Sequence, residues 1–178
     1  MNKKILLHIC CGVCASATAQ RLQREGFEVA GFFYNPNIHP QEEYRRRLEA
    51  AREVAAKLHF TIEEGSYDTQ SWFAAVRGLE QEKEGGRRCQ ACFQMRLEAS
   101  YRKALDAGLA YFTTTLTISP HKESGLISRI GKSVDKDMFL DYDFKTEDGF
   151  KKAMQFSREQ QIYRQHFCGC VFSARQVE

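Results

Sequence analysis

The chain has 178 residues, 43% of them hydrophobic and 28% charged, enough for one ordinary domain with a buried core. Its net charge of +3, from 26 basic and 23 acidic residues, is too small for bulk charge alone to mark a nucleic-acid binder. No stretch approaches the roughly 20 consecutive apolar residues that cross a bilayer, and the apolar run over Met1–Ile9 is too short for a secretory signal, so a cytoplasmic protein without membrane contact is expected.

Lys4–Ile9 reads as a buried strand that runs directly into Cys10-Cys11-Gly12. A helix follows over Cys14–Arg24, stopped by Gly26, and Phe27–Tyr34 is a second strand. Asn35–Pro40 is a loop, and Gln41–Leu58 is an amphipathic helix with Tyr44, Leu48, Ala51, Ala55 and Leu58 on its apolar stripe. Phe60–Ile62 is a short strand, Gln70–Leu79 a short helix and Glu80–Gly86 a polar loop. Cys92–Leu105 is helical in pattern, Leu109–Thr115 is a strand, and Ser119-Pro120 has the form of a helix start. Phe150–Phe167 is mostly helical. Strands alternating with helices predict a single α/β domain over residues 1–178, a parallel sheet flanked by helices. In such sheets functional loops gather at the carboxyl ends of the strands, where Cys10-Cys11, Asn35–Pro40 and Thr115–Lys122 all fall.

Seven cysteines stand in three groups: Cys10, Cys11 and Cys14; Cys89 and Cys92; Cys168 and Cys170. In a reducing compartment this grouping reads as metal binding or redox catalysis rather than as a disulfide framework. Cys89-Gln90-Ala91-Cys92 is a C-x-x-C pair opening a helix, whose positive end favours thiolates or an anionic cluster. Adjacent Cys10 and Cys11 suit a cubane, because neighbouring thiolates can bind different irons. The preferred ligand set is therefore Cys10, Cys11, Cys89 and Cys92 around one [4Fe–4S] cluster, with a four-thiolate structural zinc site as the competitor. Cys168-Gly169-Cys170 can close a strained, easily reduced disulfide, or supply two more metal ligands. Cys14 is left as a second-metal ligand, a substrate-facing thiol or a buried residue. Arg45-Arg46-Arg47 and Lys151-Lys152 read as solvated faces; Arg87-Arg88 stands apart because it abuts Cys89.

These blocks resemble one family. Cys10-Cys11-x-x-Cys14 after an apolar strand, Arg87-Arg88-Cys89-x-x-Cys92, Thr113-Thr114-Thr115-Leu116 leading to Ser119-Pro120-x-Lys122, and Cys168-Gly169-Cys170-x-Phe172-Ser173 are similar, in order and over nearly the whole chain, to the QueH family. The resemblance implies a HUP-like, Rossmann-like fold related to PP-loop ATP pyrophosphatases. It implies a [4Fe–4S] cluster on the paired and C-x-x-C cysteines, and a redox-active pair at Cys168 and Cys170. The implied reaction is reduction of epoxyqueuosine to queuosine at the wobble position of tRNA, the last step of queuosine synthesis. Some members carry a second mononuclear metal, iron or zinc, for which Cys14 is the candidate. PP-loop enzymes place a Ser-Gly-Gly-type phosphate loop after the first strand; Cys10-Cys11-Gly12 stands there instead, so no ATP is expected.

Removing an epoxide oxygen takes two electrons and two protons and releases water. No G-x-G-x-x-G motif for a flavin or nicotinamide is present, so the electrons must come through the cluster and the thiols: either Cys168 and Cys170 supply two by forming a disulfide that an external electron donor resets, or the cluster delivers them singly. His121 and Lys122 are candidates to hold a phosphate or to protonate the leaving oxygen; Asn35, Asn37, Arg87, Arg88, Ser119, His121 and Lys122 are candidate substrate or tRNA contacts. Two rivals are a cluster-dependent tRNA-thiolating enzyme, which needs an ATP loop, and a zinc-stabilised RNA-binding module, which leaves the C-G-C pair idle.

Overall fold

Alternation along the first strand decides the layering. In the computed structural model, which describes residues 3–174, strand β1 (Lys3–His8) sends Ile5 and Leu7 into one core and Leu6 into the other. Both faces of the sheet are therefore covered, the arrangement that parallel strands need. The remaining residues of the domain expected over 1–178, namely 1, 2 and 175–178, lie outside the described residues. Strands β2 (Phe27–Phe33), β3 (Thr61–Glu64) and β4 (Tyr111–Thr114) complete a four-stranded sheet of order β3-β2-β1-β4. Every pairing in it is parallel.

Helices α1 (Gly12–Arg24), α2 (Gln41–Lys57) and α6 (Gly149–Gln160) enclose one core. Helices α4 (Arg87–Asp106) and α5 (Ser124–Val134) enclose the other. Short helices α3 (Thr69–Ala75) and α7 (Val171–Ala174) lie beside α4, where Trp72, Val76, Cys92 and Cys170 form a third, small cluster. Helix α1 is buried continuously from Gly12 to Ala19, which explains its run of small residues. A Cβ on Gly12 would come within 2.7 Å of the Ala50 backbone, so only glycine permits this approach of α1 to α2. No helix among the described residues is long and apolar enough to cross a membrane.

Four of the boundaries that differ from the sequence expectation bear on the site. Helix α1 begins at Gly12, not Cys14, because Cys11 is extended and its sulfur accepts from the Cys14 amide as a cap. Helix α4 begins at Arg87, which puts Cys89 inside its first turn. Ser119-Pro120 starts no helix: the Ser119 hydroxyl accepts from the His121 amide in an isolated turn, and α5 opens only at Ser124. The last long helix ends at Gln160 rather than Phe167. Gln161 is left-handed there (φ 56°), and the Ser157 hydroxyl donates to the Ile162 carbonyl. Residues 161–170 instead run as an irregular strap, bonded to Arg47 of α2 and to the His39 amide.

Candidate active site

The chain reverses its direction of strand addition at β1, which lies between β2 and β4, so the crevice beyond their carboxyl ends is the expected site position. His8 ties these three strand ends together. Its Nε2 lies 3.1 Å from the Tyr34 carbonyl, which can only accept, so Nε2 carries the proton and Nδ1 accepts from the Thr114 hydroxyl at 2.8 Å. Burial, reinforced by the nearby Arg96 charge, pushes the His8 pKa down to about 3.

Cys10 stands two residues further along. Its amide donates to Thr115 Oγ1 at 3.1 Å, and the Thr115 hydroxyl lies 3.2 Å from the Cys10 sulfur. The Cys10 and Cys11 sulfurs are 3.9 Å apart, and those of Cys10, Cys11 and Cys14 all lie within 4.8 Å of one another. Hydrogen bonds from the Cys11 and Cys14 thiols hold the Cys10 thiol well below its ordinary pKa against the opposing effect of burial, with help from Lys122 and Arg96. Burial and the bond to Cys10 push Cys11 up to about 12; Cys14, bonded to both neighbours, is raised as well. Any ionisation of the trio is therefore favoured at Cys10 rather than at Cys11 or Cys14.

Across the crevice, the Gly85 amide donates to the Cys89 sulfur at 3.2 Å, and Arg96 Nη1 lies 3.9 Å from the Cys92 sulfur. Arg96 also donates from Nη2 to Asn35 Oδ1 at 2.6 Å, while Asn35 Nδ2 donates to the Ile9 carbonyl at 2.9 Å. The strap brings the third cysteine group. Buried Arg47 pairs with Glu43 at 2.6 Å and donates to the Phe167 and Cys168 carbonyls at 2.9 and 3.1 Å. The His39 amide donates to the Gly169 carbonyl at 2.8 Å. Gly169 has φ +99°, and a Cβ there would meet Ile38 Cγ1 at 2.9 Å, so a side chain is excluded twice over. A hydrogen bond from Cys170, with Lys122 assisting, lowers the Cys168 pKa to about 5, while the same bond raises Cys170. All seven cysteines are free thiols.

Cysteines of all three groups face one cavity of about 500 Å³, lined by Cys10, Cys14, Cys89, Cys92, Cys168 and Cys170. Residues 5–176 match the family described as epoxyqueuosine reductase QueH. The chain belongs to the QueH family.

QueH relatives match nearly the whole chain. The epoxyqueuosine reductase QueH of Streptococcus pyogenes is 39% identical over 98% of this chain and 72% of its own. That of Thermotoga maritima is 35% identical over 95% of this chain and 89% of its own. Among solved structures, the U34-tRNA thiolase NcsA from Methanococcus maripaludis, with its [4Fe–4S] cluster, superposes with a TM-score of 0.59 at 13% identity. It covers 97% of this chain, which spans 61% of the thiolase, and it supports the HUP-like fold expected from the QueH resemblance.

Of the residues singled out in the sequence, Asn37, Arg88, Ser119, His121 and Lys122 join the cysteines in lining the cavity. Three do not. Cys11 is buried behind Cys10, and Asn35 is fully buried with both ends of its amide bonded. Arg87 is an exposed partner of Glu82. Arg47 and Arg96 are site residues that the sequence does not single out, and Thr115, which it places in the loop after the last strand, gains a role there as the partner of Cys10. The signal for both arginines is position: Arg47 falls with Tyr44, Leu48 and Ala51 on the apolar stripe of α2, and Arg96 with Phe93, Leu97 and Ser100 on that of α4. A charge on a buried stripe needs a partner, and a partner fixes a loop.

Proposed function

We propose that this chain reduces epoxyqueuosine in tRNA to queuosine, with a [4Fe–4S] cluster on Cys10, Cys11, Cys89 and Cys92 and with Cys168 and Cys170 as the redox pair. The observation that carries the reading is the convergence of cysteines from three distant segments on one cavity. The donor set fits the group: a compact trio of sulfurs after β1, one already favouring the thiolate, faces a C-x-x-C pair at the start of a long helix. The thiolase of similar fold carries a [4Fe–4S] cluster of its own, which supports the same reading here. When bound, the cluster would supply Lewis acidity and one-electron chemistry beside the substrate.

The remaining chemistry falls to side chains. Cys168 and Cys170 give up two electrons and two protons as they join in a disulfide, and the epoxide oxygen leaves as water with an alkene in its place. Cys168, whose thiol ionises readily, initiates this exchange, and an external electron donor restores the dithiol. Lys122 holds a proton for the departing oxygen. Its side chain lines the cavity, and its charge acts on both Cys10 and Cys168. Asn37, Ser119 and His121, which line the same cavity, contact the nucleoside. No nucleotide is required, since Cys10-Cys11-Gly12 occupies the turn after β1.

A second reading of the ligand set, with Cys14 in place of Cys11, is favoured by one observation: Cys14 lines the cavity and Cys11 does not. In the first reading Cys14 is free for a second mononuclear iron or zinc ion or for the substrate. Iron content decides between them. In anaerobically purified protein, Cys11→Ser should lose its iron and Cys14→Ser keep the cluster, and the reverse result transfers the ligand role to Cys14. The Cys168→Ser/Cys170→Ser variant should retain iron and visible absorption but lose multiple turnover on an epoxyqueuosine-bearing anticodon stem-loop. Loss of its iron would make those two cysteines ligands instead.

A further inference from the structure

Buried polar atoms in a folded chain almost always have partners, so those left over point to something that binds. Among the described residues, buried side-chain atoms without a partner occur on Asn37, His39, Trp72, Arg88, Arg96, Gln165 and Ser173. All of these except His39 line the sulfur-lined cavity. The sharpest case is Arg88, which is 1% exposed. Its Nη1 is fully used, donating to the backbone carbonyls of Leu79, Glu80 and Glu82. Its Nε and Nη2 have no partner. These two atoms form one edge of the guanidinium plane, with N–H bonds that point the same way.

A charged, desolvated two-donor edge is the complement of an oxyanion, which accepts from it through two parallel hydrogen bonds. Trp72 adds a third unpartnered donor, Nε1, to the same wall. Both side chains rest on Phe172, the Arg88 guanidinium 5.5 Å and the Trp72 ring 6.1 Å from its ring centre. The neighbouring Glu82 carboxylate is engaged by Arg87 and makes no hydrogen bond to the Arg88 Nε/Nη2 edge.

We propose that the Nε/Nη2 edge of Arg88, together with the Trp72 indole N–H, is a receptor for a phosphodiester flanking the modified nucleotide. The proposal rests on the tRNA-reductase reading. It adds that the nucleotide enters with its backbone and that a buried arginine, not a surface patch, registers it. The Nη1 bonds hold the fork to the Leu79–Glu82 loop before any ligand arrives.

Binding of an epoxyqueuosine anticodon stem-loop to the anaerobically purified, iron-loaded chain tests this. The native RNA is compared with RNAs carrying a neutral methylphosphonate at either flanking phosphodiester. Wild type should lose about tenfold or more in affinity for one of the two neutral RNAs, the range of a charge-assisted pair. Arg88→Gln should bind native RNA that much more weakly and should no longer distinguish the neutral one. Trp72→Phe, which keeps the ring, should show a smaller loss confined to native RNA. Wild type that binds both neutral RNAs as tightly as the native one overturns the proposal, whether or not any variant folds. So does an Arg88→Gln protein that keeps full RNA affinity while its cluster changes reduction potential, since the edge then serves the sulfur centre. Failure of wild type to bind native RNA at all removes the substrate reading as well.

Discussion

The Thr115 hydroxyl holds Cys10 from two sides, accepting from its amide at 3.1 Å and lying 3.2 Å from its sulfur. Thr115 follows β4 and Cys10 follows β1, so one oxygen joins the two strands at the point where the site opens. Thr115→Val keeps the shape and removes that oxygen, leaving the Cys10 amide without its partner. The expected cost is roughly 1–3 kcal/mol of stability. It should appear in thermal unfolding as a lower midpoint, accompanied by weaker iron retention under chelator. Thr115→Ser should restore both.

His8 gives the protein a predictable acid sensitivity. Its pKa falls from 6.5 in the unfolded chain to about 3 when folded, so above 6.5 both states are neutral. Below 6.5 the unfolded chain takes up a proton that the folded one refuses, and stability must fall as pH drops from 6.5 towards 3. Urea midpoints measured across that interval should decline in wild type, and the slope should be shallower in His8→Gln. An identical slope in the two proteins would show that His8 is not the group responsible.

Arg47 is expected to be the costliest single loss outside the cysteines. Its side chain is 3% exposed and that of its partner Glu43 is 10% exposed, and the Tyr163 hydroxyl also donates to Glu43 at 2.6 Å. Arg47→Met strands a buried carboxylate, a change worth about 3–5 kcal/mol. The Glu43→Gln/Arg47→Met double variant should regain part of it, because no buried charge remains. With the strap released, iodoacetamide should label Cys168 faster in Arg47→Met than in wild type at equal pH, read by mass spectrometry of the Gly169 peptide.

The strands were legible in the sequence because burial writes itself as apolar runs: Ile5–Leu7, Val29–Phe33 and Phe112 stand where expected. The placements of the first two cysteine groups were legible for the same reason, since one follows a strand and the other opens a helix. What failed were signals that require a distant partner. Ser119-Pro120 has the composition of a helix start, yet its hydroxyl closes a local turn. The chain past Gln160 keeps a helical pattern, but Arg47 on another element draws its carbonyls away. Arg47 itself was hidden inside Arg45-Arg46-Arg47, where only the third residue faces inward.

The small residues of α1 have a consequence for how the site accepts its occupant. Gly12 presses on the Ala50 backbone, and Gly12–Ala19 have no free side, so Cys10, Cys11 and Cys14 are delivered on an unyielding jaw. The opposing jaw hangs differently. Cys89 follows the exposed stretch Lys83–Gly85, and the Leu79–Glu82 carbonyls are gathered by the single guanidinium of Arg88. Any adjustment to the girth of what lies between them must therefore be made by the first turn of α4. A wedge driven into this cavity would swing that helix tip outward and leave the sheet edge where it stands.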